Sequence, residues 1–446
     1  MAAPDVGPER RCREVASAVD ARPARPAGAP LNAPADLLVL VLLAIPAALI
    51  GWQIASVWSW PVTWRVAWAA LSTGLVLAAV LRPAVRELAS AAAVASLYAV
   101  PVVGGIVRWH LQSAGTALIG DGALQTQLAG SFLLQGIDPY GADYAAAGLG
   151  RAPWSEPFPS PALHHLVTWP GQFLLPLPVQ AAASAALGWW DERWFLLLAA
   201  VAIWILLRRL LPAIPGRLAA VALFLLPAHN LVAVLGDNDL PAVALILAAL
   251  LAADRRRFIW MGALLGLAVA TKQHALLAVP IVLAWASVKG APRRVLGLAA
   301  AAGAAVTAAL VLPFLIWNPS TFVQDTVTFL IGSGAQAYPI NGMGLSAMLL
   351  EAGIIHGARD AFPFAVLEVG MAASVWIAAW RWLRRRRQLA DVLTWCGIAF
   401  LLVLFISRYF HDTHLLLGGE LIAAGVFARW RARPGAAEVG RLRSAA

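Results

Sequence analysis

The chain has 446 residues, of which 61% are hydrophobic and 13% charged, with a mean hydropathy of +0.75. Soluble domains carry about a quarter charged residues, so this composition excludes a soluble enzyme, a disordered chain and a fibrous protein, and leaves an all-α polytopic membrane protein. The 33 Lys and Arg outnumber the 23 Asp and Glu, but they sit between apolar runs and form no face for nucleic acid.

Residues 1–36 hold Arg10, Arg11, Arg13, Arg22 and Arg25 among several Pro and Ala. A signal peptide needs a short apolar run soon after its charges, and none follows, so this segment reads as a flexible cytoplasmic tail. Cys12 in the tail and Cys396 in a later apolar run would face different compartments, which argues against a disulfide.

A spanning helix needs roughly 20 apolar residues. Runs at about 37–58, 62–81, 86–107, 194–211, 218–235, 240–253, 258–272, 275–288, 295–316, 361–380, 391–407 and 413–428 predict about 12 transmembrane helices in one domain, 37–428, followed by a basic tail, 429–446. An even number of spans puts both termini on one side. All Lys and Arg fall on that side except Arg65, Arg108, Arg151, Arg193, Lys272, Arg359 and Arg408, which places both termini in the cytoplasm of a multi-pass cell-membrane protein. Segment 161–190 is apolar but broken by Pro161, Pro170, Pro176 and Pro178. A span there would move Arg208, Arg209 and Arg217 outside, so it reads as interfacial or re-entrant. Tryptophans near the ends of runs, such as Trp58, Trp60, Trp109, Trp317, Trp380 and Trp430, suit interfacial belts.

This topology leaves two long outer loops, 108–160 and 317–360, which carry Asp121, Asp138, Asp143, Glu156, Asp325, Glu351 and Asp360. Polar chemistry thus gathers on the outer face. In the first loop, residues 122–135 have helical spacing, with Leu124, Leu128, Phe132 and Leu134 as an apolar stripe. That predicts an amphipathic helix along the membrane surface with Asp121 at its N-terminus. The bland reading of Asp121 is an N-cap, and that of Asp138 and Asp143 is turn chemistry.

The same loop resembles the GT-C type of integral-membrane glycosyltransferases, particularly the bacterial polyprenyl-phosphate-sugar-dependent mannosyltransferase-like group. The resemblance rests on Asp121 before a short helix and on Gly136-Ile137-Asp138-Pro139-Tyr140, where the family pattern has Asn in place of Asp138. It extends to Phe158-Pro159-Ser160-Pro161-Ala162-Leu163, with Ser160 between the prolines, and to Gly262 through Lys272, a glycine-bearing helix ending in Lys. The family usually places this loop after its first helix, and here it follows the third. The resemblance implies a monosaccharide transferred with inversion from a polyprenyl-phosphate donor to a glycan or glycolipid acceptor of the cell envelope. It implies Asp121 as general base, with Asp143 as the second candidate. One carboxylate suffices because a lipid phosphate leaves as an anion, whereas a hydrolase would more typically show two opposed carboxylates.

Lys272 lies between two short apolar runs on the side poor in basic residues. An ionisable group at such depth usually faces a polar cavity, although a snorkelling Lys is the alternative. Lys272 is therefore assigned to the donor phosphate, with Arg408 and His411 from the last outer turn. There the alternative is interfacial anchoring with an Arg408–Asp412 ion pair. Asp138, Tyr140, Asp143, Asp237 and Asp239 are possible substrate-binding residues, Asp237 and Asp239 also reading as a helix-capping turn. No cofactor or metal is expected beyond the lipid-linked sugar. His164, His165 and His229 show no metal spacing, and no Walker sequence is present. Arg381 through Arg387 suit anionic lipid headgroups. The principal rival is a transporter or flippase for a lipid-linked or small polar substrate, which would be expected to show internal repeats and mid-membrane charges. A ligase or polymerase moving whole glycans is a further alternative.

Overall fold

A computed structural model describes residues 34–111, 117–153, 159–211, 223–225, 227–332 and 337–430. The tail up to residue 33, Glu156, Phe158, the start of the run at 218–235, Gly334 and the end of the basic tail lie outside the described residues. The architecture is all-α. Helices α1 (Pro34–Val57), α2 (Val62–Leu81) and α3 (Arg86–Leu111) precede the first loop. The loop itself holds α4 (Asp121–Leu134), and the proline-broken segment holds α5 (Leu177–Leu187). There follow α6 (Arg193–Leu210), α7 (Pro227–Leu235), α8 (Leu240–Asp254), α9 (Phe258–Thr271), a 3-10 turn (Gln273–Ala278), α10 (Val279–Val288) and α11 (Arg293–Trp317). The chain closes with α12 (Phe364–Arg385), α13 (Leu389–Ile406) and α14 (Asp412–Trp430).

Each apolar run read from the sequence is helical over most of its described residues, but not every one is of spanning length. Among the described residues, six helices are long and apolar enough to cross a membrane, or seven if α7 and α8 count as one broken span. By this measure of length and composition fewer helices pass than the roughly 12 apolar runs read from the sequence. Helix α9 has 14 residues, about 21 Å at 1.5 Å per residue, which is too short for a core about 30 Å thick. Its end is set at Lys272, where the backbone turns extended. Helices α7 and α8 meet at 116°, so the chain doubles back at Gly236–Asp239. Segment 161–190 forms only short helices, in keeping with its prolines.

The close helix pairs are built on small residues. Gly262 and Gly266 of α9 face the backbone of Ala299 and Gly303 of α11 with no room for a side chain, and Thr307 Oγ1 donates to Gly266 O at 2.9 Å. Without a hydrophobic drive in lipid, such backbone-to-backbone contact is what holds helices together. It also holds α9, which ends just before Lys272, against α11. Gly397 of α13 meets the Gly418 backbone of α14 in the same way.

Helix α4 departs from the expected surface helix. Ala123, Leu124, Gln125, Thr126, Ala129 and Gly130 are all buried, so both its polar and apolar sides are covered by protein. The apolar stripe is not its only buried face because Gln125 Nε2 finds carbonyls of the proline-broken segment, Ala162 O at 2.6 Å and His165 O at 2.9 Å. The loop 337–345 is joined to the last turn by a parallel bridge between β1 (Asn341–Gly342) and β2 (Tyr409–Phe410).

Candidate active site

The breaks between helices converge on one cavity of about 610 Å³. Its wall comes from Asp121 and Gln125 of α4, the 161–168 segment, Asn238, the Lys272-Gln273-His274 corner, Tyr338 and Met343, and the Tyr409–His414 turn. Thus Asp121, Lys272 and His411, far apart in sequence, face a common space.

Asp121 is the first residue of α4 and is half-buried. The N-cap position belongs to Gly120, which makes no side-chain cap. The Asp121 carboxylate instead accepts the Gly122 amide on Oδ1 at 2.8 Å and the Ser160 hydroxyl on Oδ2 at 2.8 Å. These bonds orient the carboxylate and leave acceptor capacity on the oxygens. On the same cavity, Lys272 Nζ donates to Asn238 Oδ1 at 2.7 Å and lies 2.7 Å from Asp239 Oδ1. Asp239 is also 3.2 Å from His274 Nε2 and is almost fully buried. Asn238 in turn packs its amide against Gly122, where a Cβ would come within 2.8 Å. One residue therefore links the Lys272 corner to the start of α4.

His411 lines the same wall, and its amide donates to His414 Nδ1 at 3.2 Å. Arg408 does not join it. Its guanidinium is buried and donates to Tyr338 O, to Asp360 O at 2.9 Å and to Ala358 O at 3.1 Å. The phosphate contact expected of Arg408 would have to draw on a guanidinium that these carbonyls already engage. Each guanidinium nitrogen thus donates to a loop carbonyl, and Ala358 O also accepts the Ile340 amide at 2.6 Å. The Arg408–Asp412 pair weighed as an alternative is absent among the described ion pairs too.

Asp138, Tyr140, Asp143 and Asp237 also stand away from the cavity wall. Asp138 accepts the Tyr140 amide at 3.1 Å, and the Tyr140 hydroxyl donates to Thr168 O at 2.9 Å from within a cluster of Phe173, Phe314 and Phe322. Asp143 is exposed and accepts the Ala145 amide at 2.9 Å, as turn chemistry requires. Asp237 accepts the Asp239 amide at 2.9 Å and braces the sharp turn. Asp239 reaches the site only through Lys272 and His274.

Sequence reasoning left Ser160, His274 and His414 without an assigned role, and read Asn238 only as part of the Asp237–Asp239 turn. The serine between two prolines and the polar Gln273-His274 after Lys272 were visible signals, but their partners Asp121, Val167 and Asp239 lie 35 or more residues away. A second buried pair, His165 Nδ1 with Asp325 Oδ1 at 2.7 Å, ties the proline-broken segment to the 317–332 region. Asp325 Oδ2 also accepts the Leu166 amide at 3.0 Å. Burial pushes the Asp325 carboxyl above its usual range, against those hydrogen bonds. Asp325 sits on a π-helical turn, Gln324–Thr328, a local distortion that re-aims side chains.

Chemically, the cavity pairs an oriented carboxylate with an ammonium and imidazoles. The carboxylate can take a proton from a hydroxyl, the ammonium can hold an anion, and an imidazole N–H can donate to it. The sequence model of glycosyltransferase family 87 matches residues 168–407, more than half of the chain. The protein belongs to glycosyltransferase family 87. It is therefore a membrane glycosyltransferase of the GT-C type, as the loop motifs implied. The family match includes Lys272, His274 and Tyr338 but starts after α4 and ends before His411. No curated protein and no solved structure matches the chain.

Proposed function

We propose that this family 87 enzyme transfers a monosaccharide, with inversion, from a polyprenyl-phosphate donor to a glycan or lipid acceptor of the envelope. The observation that carries the reading is the placement of Asp121 and Lys272 on one cavity. The acceptor hydroxyl oxygen attacks the anomeric carbon while Asp121 takes its proton, and the bond from that carbon to the phosphate oxygen breaks. A single displacement inverts the anomeric centre. The phosphate departs as an anion, so a second carboxylate to protonate it is unnecessary. Lys272 and His411 stabilise that anion, in a site where electrostatics are stronger than in bulk water. An ammonium has three donors, and Asn238 and Asp239 engage two directions of Lys272, so a phosphate can take the third.

Both termini are placed in the cytoplasm and loops 108–160 and 317–360 outside, on the asymmetry of Lys and Arg. An outward-facing site favours a lipid-linked donor, because nucleotide sugars are scarce there. The departing polyprenyl monophosphate carries less total charge than a nucleoside diphosphate would, so fixed cations serve in place of a divalent ion. The test is transfer by the purified protein from a synthetic polyprenyl-phosphate sugar in EDTA, with the product anomer assigned by NMR. Activity that vanishes in EDTA and returns with manganese or magnesium overturns the metal-free mechanism. Activity with nucleotide sugars alone overturns the donor.

A further inference from the structure

Arg193 lies outside the cavity wall, yet it joins the segment that carries Asp121 to the segment whose Asn238 bonds Lys272. It is the first residue of α6, and its side chain is fully buried. Its guanidinium grips Asp191 through Nε to Oδ1 at 2.9 Å and Nη2 to Oδ2 at 2.7 Å. Hydrogen bonds from Arg193 and His110 hold the Asp191 carboxyl below its usual range despite burial, which alone would raise it. That pair balances the buried charge and leaves Nη1 for other work.

Nη1 donates to Leu118 O at 2.7 Å and to Val234 O at 3.0 Å. Leu118 belongs to the segment leading into Asp121. Val234 is in the last turn of α7, whose terminal carbonyls lack intrahelical partners and favour a cation. The neighbouring bond completes the junction, Gly120 N donating to Leu235 O at 2.6 Å. Gly236 then passes so near α4 that a Cβ there would lie 2.6 Å from Ala123 Cβ. Beyond this junction one chain carries Asp121 and the other carries Asn238, which bonds Lys272.

We infer that Arg193 is a positioning residue for transfer, setting the separation between the Asp121 carboxylate and the Lys272 ammonium by clamping Leu118 to Val234. The inference rests on the roles proposed above for Asp121 and Lys272. Lysine cannot replace it, because one ammonium cannot span Asp191 and two carbonyls in the fixed fork of a guanidinium. A misplacement of about 1 Å between reacting groups costs roughly 10²-fold in rate.

The experiment compares wild type with Arg193→Lys and with the double variant Asp191→Asn/Arg193→Gln, all as full chains in lipid nanodiscs. The double variant leaves no unpaired buried charge and so preserves folding if the single variant fails to fold. Transfer from a synthetic polyprenyl-phosphate sugar gives kcat and donor KM, and hydrogen exchange reads the amides of 117–124 and 233–238. The expected result is a kcat loss of roughly 10²-fold with donor KM nearly unchanged, together with faster exchange confined to those two segments. Folded variants with kcat within about threefold of wild type, or with a raised KM and intact kcat, would overturn the inference. Exchange that rises throughout the chain would reduce Arg193 to general stability and overturn it as well. A wild-type protein that transfers nothing would refute the proposed donor chemistry instead, while the exchange measurement still reports on the clamp.

Discussion

Replacing Asp121 with Asn separates its chemistry from its place in the fold. In the native site Oδ1 accepts the Gly122 amide and Oδ2 accepts the Ser160 hydroxyl, each at 2.8 Å. An Asn side chain keeps both contacts if its oxygen faces Gly122 and its amide donates to the Ser160 hydroxyl, which can accept as readily as donate. Folding stability should therefore change by no more than about 1 kcal/mol. The amide cannot take a proton from the acceptor hydroxyl. Loss of a general base costs roughly two to four orders of magnitude, which is about 3–5 kcal/mol of transition-state stabilisation. Three measurements on purified protein decide the matter: single-turnover transfer from a labelled polyprenyl-phosphate sugar, donor binding, and thermal melting. The expected pattern is unchanged melting and donor binding with transfer reduced by that factor. Near-normal turnover in Asp121→Asn would refute the assignment and move the search to another carboxylate on the cavity, of which Asp412 is the exposed one.

Lys272→Ala leaves the buried Asp239 carboxylate without its cation, so it should destabilise the fold by about 3–5 kcal/mol. Adding Asp239→Asn should restore the melting temperature but not transfer, and recovery of transfer in the double variant would remove Lys272 from the mechanism. Arg408→Ala strips three loop carbonyls of a buried donor and should cost about 3 kcal/mol in thermal stability; a wild-type melting curve would contradict the clamp seen between the last turn and residues 338–360. In a chain lacking Cys12 and Cys396, cysteines at Ala146 and Ala352 should react with an impermeant maleimide on intact cells, and one at Arg294 should not. The reverse pattern would invert the proposed orientation.

Composition and hydropathy by themselves determined the membrane class, the helical architecture and the positions of the apolar runs, because the bilayer demands internally satisfied backbone whatever the neighbours do. Local pattern likewise located α4 with Asp121 at its start and ended α9 at Lys272, since a helix begins and stops on residues within a turn of its end. Tertiary structure alone decided what those residues meet. Hydropathy marks an apolar run but not where its helix breaks, so the 14-residue length of α9 came from the fold. The stripe on α4 suggested a surface helix, yet Gln125 on its polar side is buried by carbonyls 37 and 40 residues away. Arg408 looked like a phosphate ligand by residue type and position. Which acceptor a guanidinium finds depends on loops that close over it, and here those are Tyr338, Ala358 and Asp360. Arg193 was invisible as a clamp for the same reason. Its partners Leu118 and Val234 offer backbone carbonyls, and a carbonyl carries no sequence signature.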